Sequence, residues 1–120
     1  MAQYAVLIYS DESAVWDEKK NKEVMDAYWA YTNMLTSSGE GDAGEALHPT
    51  STATTVRVRD GKTLTTDGPF MESKEALGGF YIIKADGLDG AIALAAKCPG
   101  AEHGAVEVRP VVDFSAGPQA

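Results

Sequence analysis

The order of apolar runs predicts an α+β fold, a ferredoxin-like βαββαβ plan with an inserted β-hairpin. Three features carry that expectation. Two runs, "QYAVLIYS" (3–10) and "GGFYIIKA" (78–85), are apolar at alternate and intervening positions alike, as in strands covered on both faces. A helical period follows the first run, and another helical segment follows the second. Between them, Asp60-Gly61 separates two β-prone runs, a two-residue type I′ hairpin signal.

The elements follow in order. The first strand stops at the acidic turn residues Asp11 and Glu12. From about Asp17 to Ser38, Val24, Tyr28, Tyr31 and Leu35 form one helical stripe, with Trp29 and Met34 away from its centre. Asp17 and Glu18 suit the positive helix start, and Ser37, Ser38 and Gly39 supply a stop. His48-Pro49 marks a break before the hairpin. Pairing about Asp60-Gly61 sets Arg59 opposite Lys62 and Arg57 opposite Leu64. Val56, Val58, Thr63 and Thr65 then share one face, and Thr55, Arg57, Arg59, Lys62 and Leu64 the other. In "TDGPFMESKEALGGFY" (66–81), Asp67, Gly68 and Pro69 make a rigid corner. "ESKEALGG" reads as one helical turn from Ser73 to a left-handed cap at Gly78, and Gly79 lets strands approach closely. "DGLDGAIALAAKCPG" reads as a short helix capped by Asp86, with Leu88, Ile92 and Ala95 as its stripe and Cys98-Pro99-Gly100 as its close. "GAVEVRPVV" alternates, with Val106, Val108 and Pro110 on one face and Ala105, Glu107, Arg109 and Val111 on the other. Residues 1–112 thus make one domain, and 113–120 a loose tail.

Two helices cover only one face of a four-stranded sheet. The long strands are apolar on both faces, so the bare face needs a cover, and a second copy of the chain supplies it. The expected assembly is a homodimer with stacked sheets, a dimeric α/β-barrel whose interior can hold a pocket.

Composition narrows the function. A chain of 120 residues is one domain and buries roughly 60–70% of its unfolded surface. A net charge of −8 argues against nucleic acid or an anionic membrane as partner. Cys98 is the single cysteine, so no intrachain disulfide or thiolate cluster forms. The start lacks the pattern of a signal peptide, and no run spans a bilayer, so the expectation is a soluble cytoplasmic protein. His48 and His103 have no metal-binding spacing, and GxSxG, P-loop and GxGxxG motifs are absent, so no metal or cofactor is implied. Cys98, beside Pro99 at a helix end, reads as a packed side chain rather than a nucleophile.

The chain resembles the YCII-related family, in the branch named for its DGPF motif. The matching stretches are "LIYSDE" (7–12), "GEAL" (44–47), "ATTVRVRDGK" (53–62), "TDGPFMESKEALGGFYII" (66–83) and "CPGAEHGAVEVRP" (98–110). The resemblance implies a dimeric ferredoxin-like α/β barrel. Relatives of that fold include muconolactone isomerase-like enzymes and a YCII-like branch linked to dehydrochlorination of a chlorinated hydroquinone. DGPF-type proteins are often encoded beside extracytoplasmic-function sigma factors, which implies a regulatory role as the alternative. The small YCII proteins carry a histidine in the first helix, paired with an aspartate. Asp17–Ser38 contains no histidine, so that pair has no counterpart here.

Several residues are candidates for chemistry. Glu72 or Glu75 beside Lys74, with Tyr81 pointing into an inter-sheet cavity, would place a proton acceptor next to groups that stabilise an oxyanion. That set suits cofactor-independent isomerisation or elimination on a small organic acid or phenol-like compound; solvated surface charge is the plain alternative. Asp67 is either scaffold or ligand contact. Glu45 is a further ligand-binding candidate. Glu107 and Arg109 share a strand face, from which Arg109 could hold a carboxylate, or the two could form a rim salt bridge. The basic hairpin face is either solvated or a contact for an acidic partner, a sigma factor or the second subunit.

Overall fold

The computed structural model describes residues 1–116. The elements are β1 (Ala2–Ser10), α1 (Glu18–Ser38), β2 (Glu45–Ala46), β3 (Thr54–Arg59), β4 (Lys62–Asp67), β5 (Ala76–Ala85), α2 (Leu88–Ala95), α3 (Gly100–His103) and β6 (Ala105–Pro110). The main sheet runs β2-β5-β1-β6, and β3-β4 form a separate two-stranded sheet. This is the α+β, ferredoxin-like order with the hairpin inserted between β2 and β5. The tail expected over 113–120 begins with a 3₁₀ turn at Phe114–Ala116, and its residues 117–120 lie outside the described residues.

β1 is antiparallel to both neighbours, pairing Val6 with Tyr81 and Val108, and Leu7 with Phe80 and Glu107. Strand pleating sends Tyr4, Val6 and Ile8 to one face, with Gly79, Tyr81, Ile83 and Ala85 of β5. That face meets the helices and forms the core with Tyr31, Leu35, Ala91, Leu94, Ala95 and Cys98. Ala5, Leu7, Tyr9, Phe80 and Ile82 point the other way, where no helix covers them.

Asp17 caps α1, its carboxylate accepting the Lys20 N–H at 2.8 Å, and Gly39 ends the helix at φ 75°. The expected stripe faces the sheet, with Tyr31 and Leu35 buried and Val24 and Tyr28 half-buried. One buried hydrogen bond and one ring contact lock the helix layer: Tyr31 donates its hydroxyl to the Leu94 carbonyl at 3.0 Å, and its ring meets that of Tyr81 edge-on with centroids 5.1 Å apart. The hairpin has the expected register, and Asp60 and Gly61 both have positive φ, as a type I′ turn requires.

Three local expectations are corrected. α2 buries Ala91, Leu94 and Ala95, while Leu88 and Ile92 are 53% and 50% exposed. Small alanines let the helix axis settle close to the sheet, so the larger aliphatics fall on the outside. Its N-cap is Gly87, with no side-chain bond, rather than Asp86. No helical turn forms at Ser73–Gly78: residues 71–75 are irregular, with bends at 71, 74 and 75, β5 begins at Ala76, and Gly78 is the extra residue of a bulge between Ile8↔Gly79 and Tyr9↔Leu77. Gly79 plays its expected part, since a Cβ there would stand 2.8 Å from the Glu45 carbonyl oxygen.

Truncating Leu35, which has no exposed surface, is expected to cost about 2–5 kcal/mol on Leu35→Ala. Ile92→Ala on the outer side of α2 costs under about 1 kcal/mol. Urea unfolding of both variants checks the assignment; equal losses would place Ile92 in the core instead.

Candidate functional site

Asp11 and Glu12 leave β1 as anchors. The Asp11 carboxylate accepts the Ser13 N–H at 2.9 Å and its hydroxyl at 2.6 Å, and these bonds hold it below the ordinary carboxylate value, with Lys74 adding a small attraction. Glu12 reaches 38 residues along the chain to accept the Thr50 N–H at 2.9 Å and the Thr50 hydroxyl. That tie brings the 3₁₀ turn Thr50–Thr52 beside the segment after the hairpin. There the corner is held by backbone: the Gly68 N–H donates to the Ala53 carbonyl at 2.8 Å, and the Thr55 hydroxyl donates to the Gly68 carbonyl at 2.9 Å. Thr50, Ser51, Pro69, Met71, Glu72, Ser73 and Ala76 surround a shallow concavity of ≈ 260 Å³.

The second cluster lies on the open sheet face. Glu45 pairs with Phe80, Phe80 with Leu7 and Leu7 with Glu107, which makes one row across all four strands. Cross-strand partners share a face, so Glu45 and Glu107 stand about 14 Å apart over an apolar floor. Arg109 donates to Glu107 Oε1 at 2.9 Å, and the Tyr9 hydroxyl donates to the same oxygen at 3.5 Å. Arg109 and Glu107 keep 67% and 46% of their side-chain surface exposed, so both remain open to a ligand. At the far end of the same face, Met1, Gln3, Lys84, Val111, Val112, Asp113 and Phe114 line a cavity of ≈ 540 Å³.

The sequence candidates divide between these places. Glu45, Glu107 and Arg109 stand on the open face. Glu72 lines the concavity, and Lys74 lies within reach of the Asp11 charge. Glu75 is exposed and meets Ser73 through its backbone carbonyl, at 2.6 Å. Asp67 is an exposed strand end, paired with Thr54.

Tyr81 differs from the expectation of a side chain pointing into the inter-sheet cavity. It faces the helices, 8% exposed, with its hydroxyl 2.9 Å from Thr32 Oγ1. β5 is apolar on both faces, so composition gave no phase to its alternation; pairing with Val6 sets it. Sequence reasoning did not single out Tyr9, although it sits two residues beyond Leu7 on the face that Glu107 and Arg109 share. Among the described residues no cluster of three or more His, Cys, Asp or Glu could hold a metal ion. No helix among them is long and apolar enough to cross a membrane.

The family model of the YCII-related domain matches residues 2–115. The chain belongs to the YCII-related family. It is also 37% identical over 118 residues to an uncharacterised protein of Rhizobium meliloti (strain 1021), a match covering 95% of each chain. In this YCII-related chain three of the quoted motifs lie close together. "LIYSDE" ends β1, "GEAL" pairs along β5, and the DGPF segment leads from the hairpin base into β5, all at one end of the sheet.

Behind that end, burial pushes the Cys98 thiol up, and it raises the phenols of Tyr28, Tyr31 and Tyr81. These groups keep their protons in the native chain after the unfolded chain has lost them. Above the ordinary thiol and phenol values of 9.0 and 10.0 the unfolded chain binds fewer protons, so stability falls as pH rises. Urea midpoints measured from about pH 7 to about pH 10 are expected to fall, with a shallower fall in Cys98→Ala. A flat profile would show that these groups ionise freely in the folded chain.

Proposed function

We propose that this YCII-related protein, of the DGPF branch, works as a homodimer that binds a small organic acid or phenol-like compound between its stacked sheets. One observation carries the reading: the uncovered apolar floor of Ala5, Leu7, Phe80 and Ile82 has a carboxylate on one side and a Tyr9–Glu107–Arg109 group on the other. An aromatic or aliphatic ring rests on the floor, where its burial supplies most of the affinity. Arg109 exchanges part of its bond to Glu107 for the ligand's carboxylate or phenolate, since a guanidinium can serve two oxygens. Tyr9 and Glu45 hydrogen-bond the remaining polar groups.

The chemistry that fits is cofactor-independent proton transfer of the isomerase or lyase kind. Glu72 or Glu75 at the rim takes a proton from the carbon beside a carbonyl, and Lys74 stabilises the enolate oxyanion that forms. The same carboxyl group returns the proton to another carbon of the enolate as the carbonyl re-forms. Asp67 stands exposed beside the Gly68 corner at the hairpin's base, free to contact a ligand that reaches the rim. Tyr81 serves from behind, fixing β5 against α1 through Thr32.

A regulatory reading has its own observation. Met25 and Trp29 lie one turn apart on α1, 59% and 62% exposed, an apolar pair suited to a protein partner such as a sigma factor. In a pull-down with an extracytoplasmic-function sigma factor, Trp29→Ala is expected to abolish capture if this reading holds.

Calorimetric titration with benzoates, hydroxybenzoates and lactone acids tests the first reading. Arg109→Ala is expected to weaken carboxylate binding about tenfold to a hundredfold. Glu72→Gln is expected to retain binding and lose turnover. Binding that ignores Arg109, or no binding by any of these compounds, would remove the open face as the site.

A further inference from the structure

The β3-β4 hairpin is poorly explained by its own chain. It packs closely only on itself: the bonds from Gly68 to Ala53 and from Thr55 to Gly68 close its own base, and the Glu12–Thr50 bond beside that base ties it to the body. A lone two-stranded ribbon is marginal in water and needs something to pack against. Yet Val56 and Val58 are each 60% exposed on one face, and Leu64 is 47% exposed on the other. Even the first basic side chain is held near the base: the Arg57 guanidinium lies 5.0 Å over the ring of Phe70, itself 73% exposed.

The arm is also electrically unlike the rest. Arg57, Arg59 and Lys62 against Asp60 and Asp67 leave the hairpin (54–67) with a small positive charge, in a chain whose net charge is −8. The radius of gyration is 16.6 Å, where a compact chain of this length would have about 14 Å. The extents of 48 × 47 × 19 Å describe a slab, a shape consistent with an arm that packs closely only on itself.

We propose that the arm is an intersubunit clasp: the hairpin of one copy docks on the acidic body of a second copy, and the second copy returns the contact. A second copy is the occupant the charges favour. Each chain carries both complements, a basic arm and an acidic body, so a two-fold exchange makes the pair of contacts at once. The neutral Val56, Val58, Thr63 and Thr65 face supplies the apolar contact, and Arg57, Arg59 and Lys62 supply the pairing of charge. The clasp rests on the dimer reading above and extends it, because it holds the dimer from outside the sheet interface.

Three full-length proteins test it in analytical ultracentrifugation: the wild type, the charge-reversed arm R57E/R59E/K62E, and the sheet-face variant Leu7→Lys. All three arm residues are exposed, so the reversal leaves the core intact, which circular dichroism checks. The wild type is expected to dimerise, the reversed arm to dimerise about tenfold or more weakly, and added salt to weaken the wild type. Trypsin is expected to cut after Arg57, Arg59 and Lys62 more slowly as the dimer fraction rises. If the reversed arm dimerises like the wild type and the arm is cut equally fast in the dimer, the clasp is overturned while the stacked-sheet dimer survives. If Leu7→Lys leaves the dimer intact and the reversed arm breaks it, the clasp stands and the stacked sheets fall. A wild type that stays monomeric overturns both.

Discussion

Everything in the molecule takes its orientation from the register of β1. This strand lies in the middle of the sheet, bonded to β5 on one side and β6 on the other. Val6 has no exposed surface, and its partners Tyr81 and Val108 face the helices with it; Leu7 and its partners Phe80 and Glu107 face the other way. A slip of one residue would exchange those sets, burying Glu107 and Arg109 on the helix side against α2 and α3 and turning Tyr81 outward. Register is well determined here because Val6, Ile83 and Leu35 meet with no exposed surface, which no shifted pairing would reproduce.

The two faces are finished differently. The helix side is closed by close packing and by polar groups that find partners at once: Tyr31 with the Leu94 carbonyl, Tyr81 with Thr32. No buried side-chain polar atom among the described residues lacks a partner there. The open side keeps its polar groups loosely matched, with one Glu107 oxygen shared between Arg109 and Tyr9. A shared, half-exposed acceptor can exchange partners at little cost, whereas a buried satisfied phenol cannot. The same division separates the parts that hold the fold from the parts suited to recognition.

Much of this was legible in the sequence, and the exceptions have physical reasons. The α1 stripe, the hairpin register and the Glu107/Arg109 face follow from clean periods with polar and apolar residues alternating. Tyr81 sits in a strand apolar on both faces, so alternation carried no phase, and the Gly78 bulge shifts the count near its start. In α2 the buried stripe is Ala91, Leu94 and Ala95, two of them alanines whose small side chains let the helix lie close to the sheet. "ESKEAL" has helix-forming residues but is too short to nucleate without packing. The Glu12–Thr50 tie joins residues 38 apart, and no local pattern announces such a contact. That tie matters most for the site, since it sets Thr50 beside Glu72.

The central place of β1 has a cost during synthesis. It leaves the ribosome well ahead of its two partners, which begin only at Ala76 and Ala105. At roughly 5–20 residues per second, an apolar strand with two unpaired edges waits several seconds for its neighbours. Over that interval it is a template for pairing with other nascent chains. The arrangement that places β1 at the centre of the finished sheet therefore leaves it the longest without partners in the unfinished one, until β5 and β6 arrive.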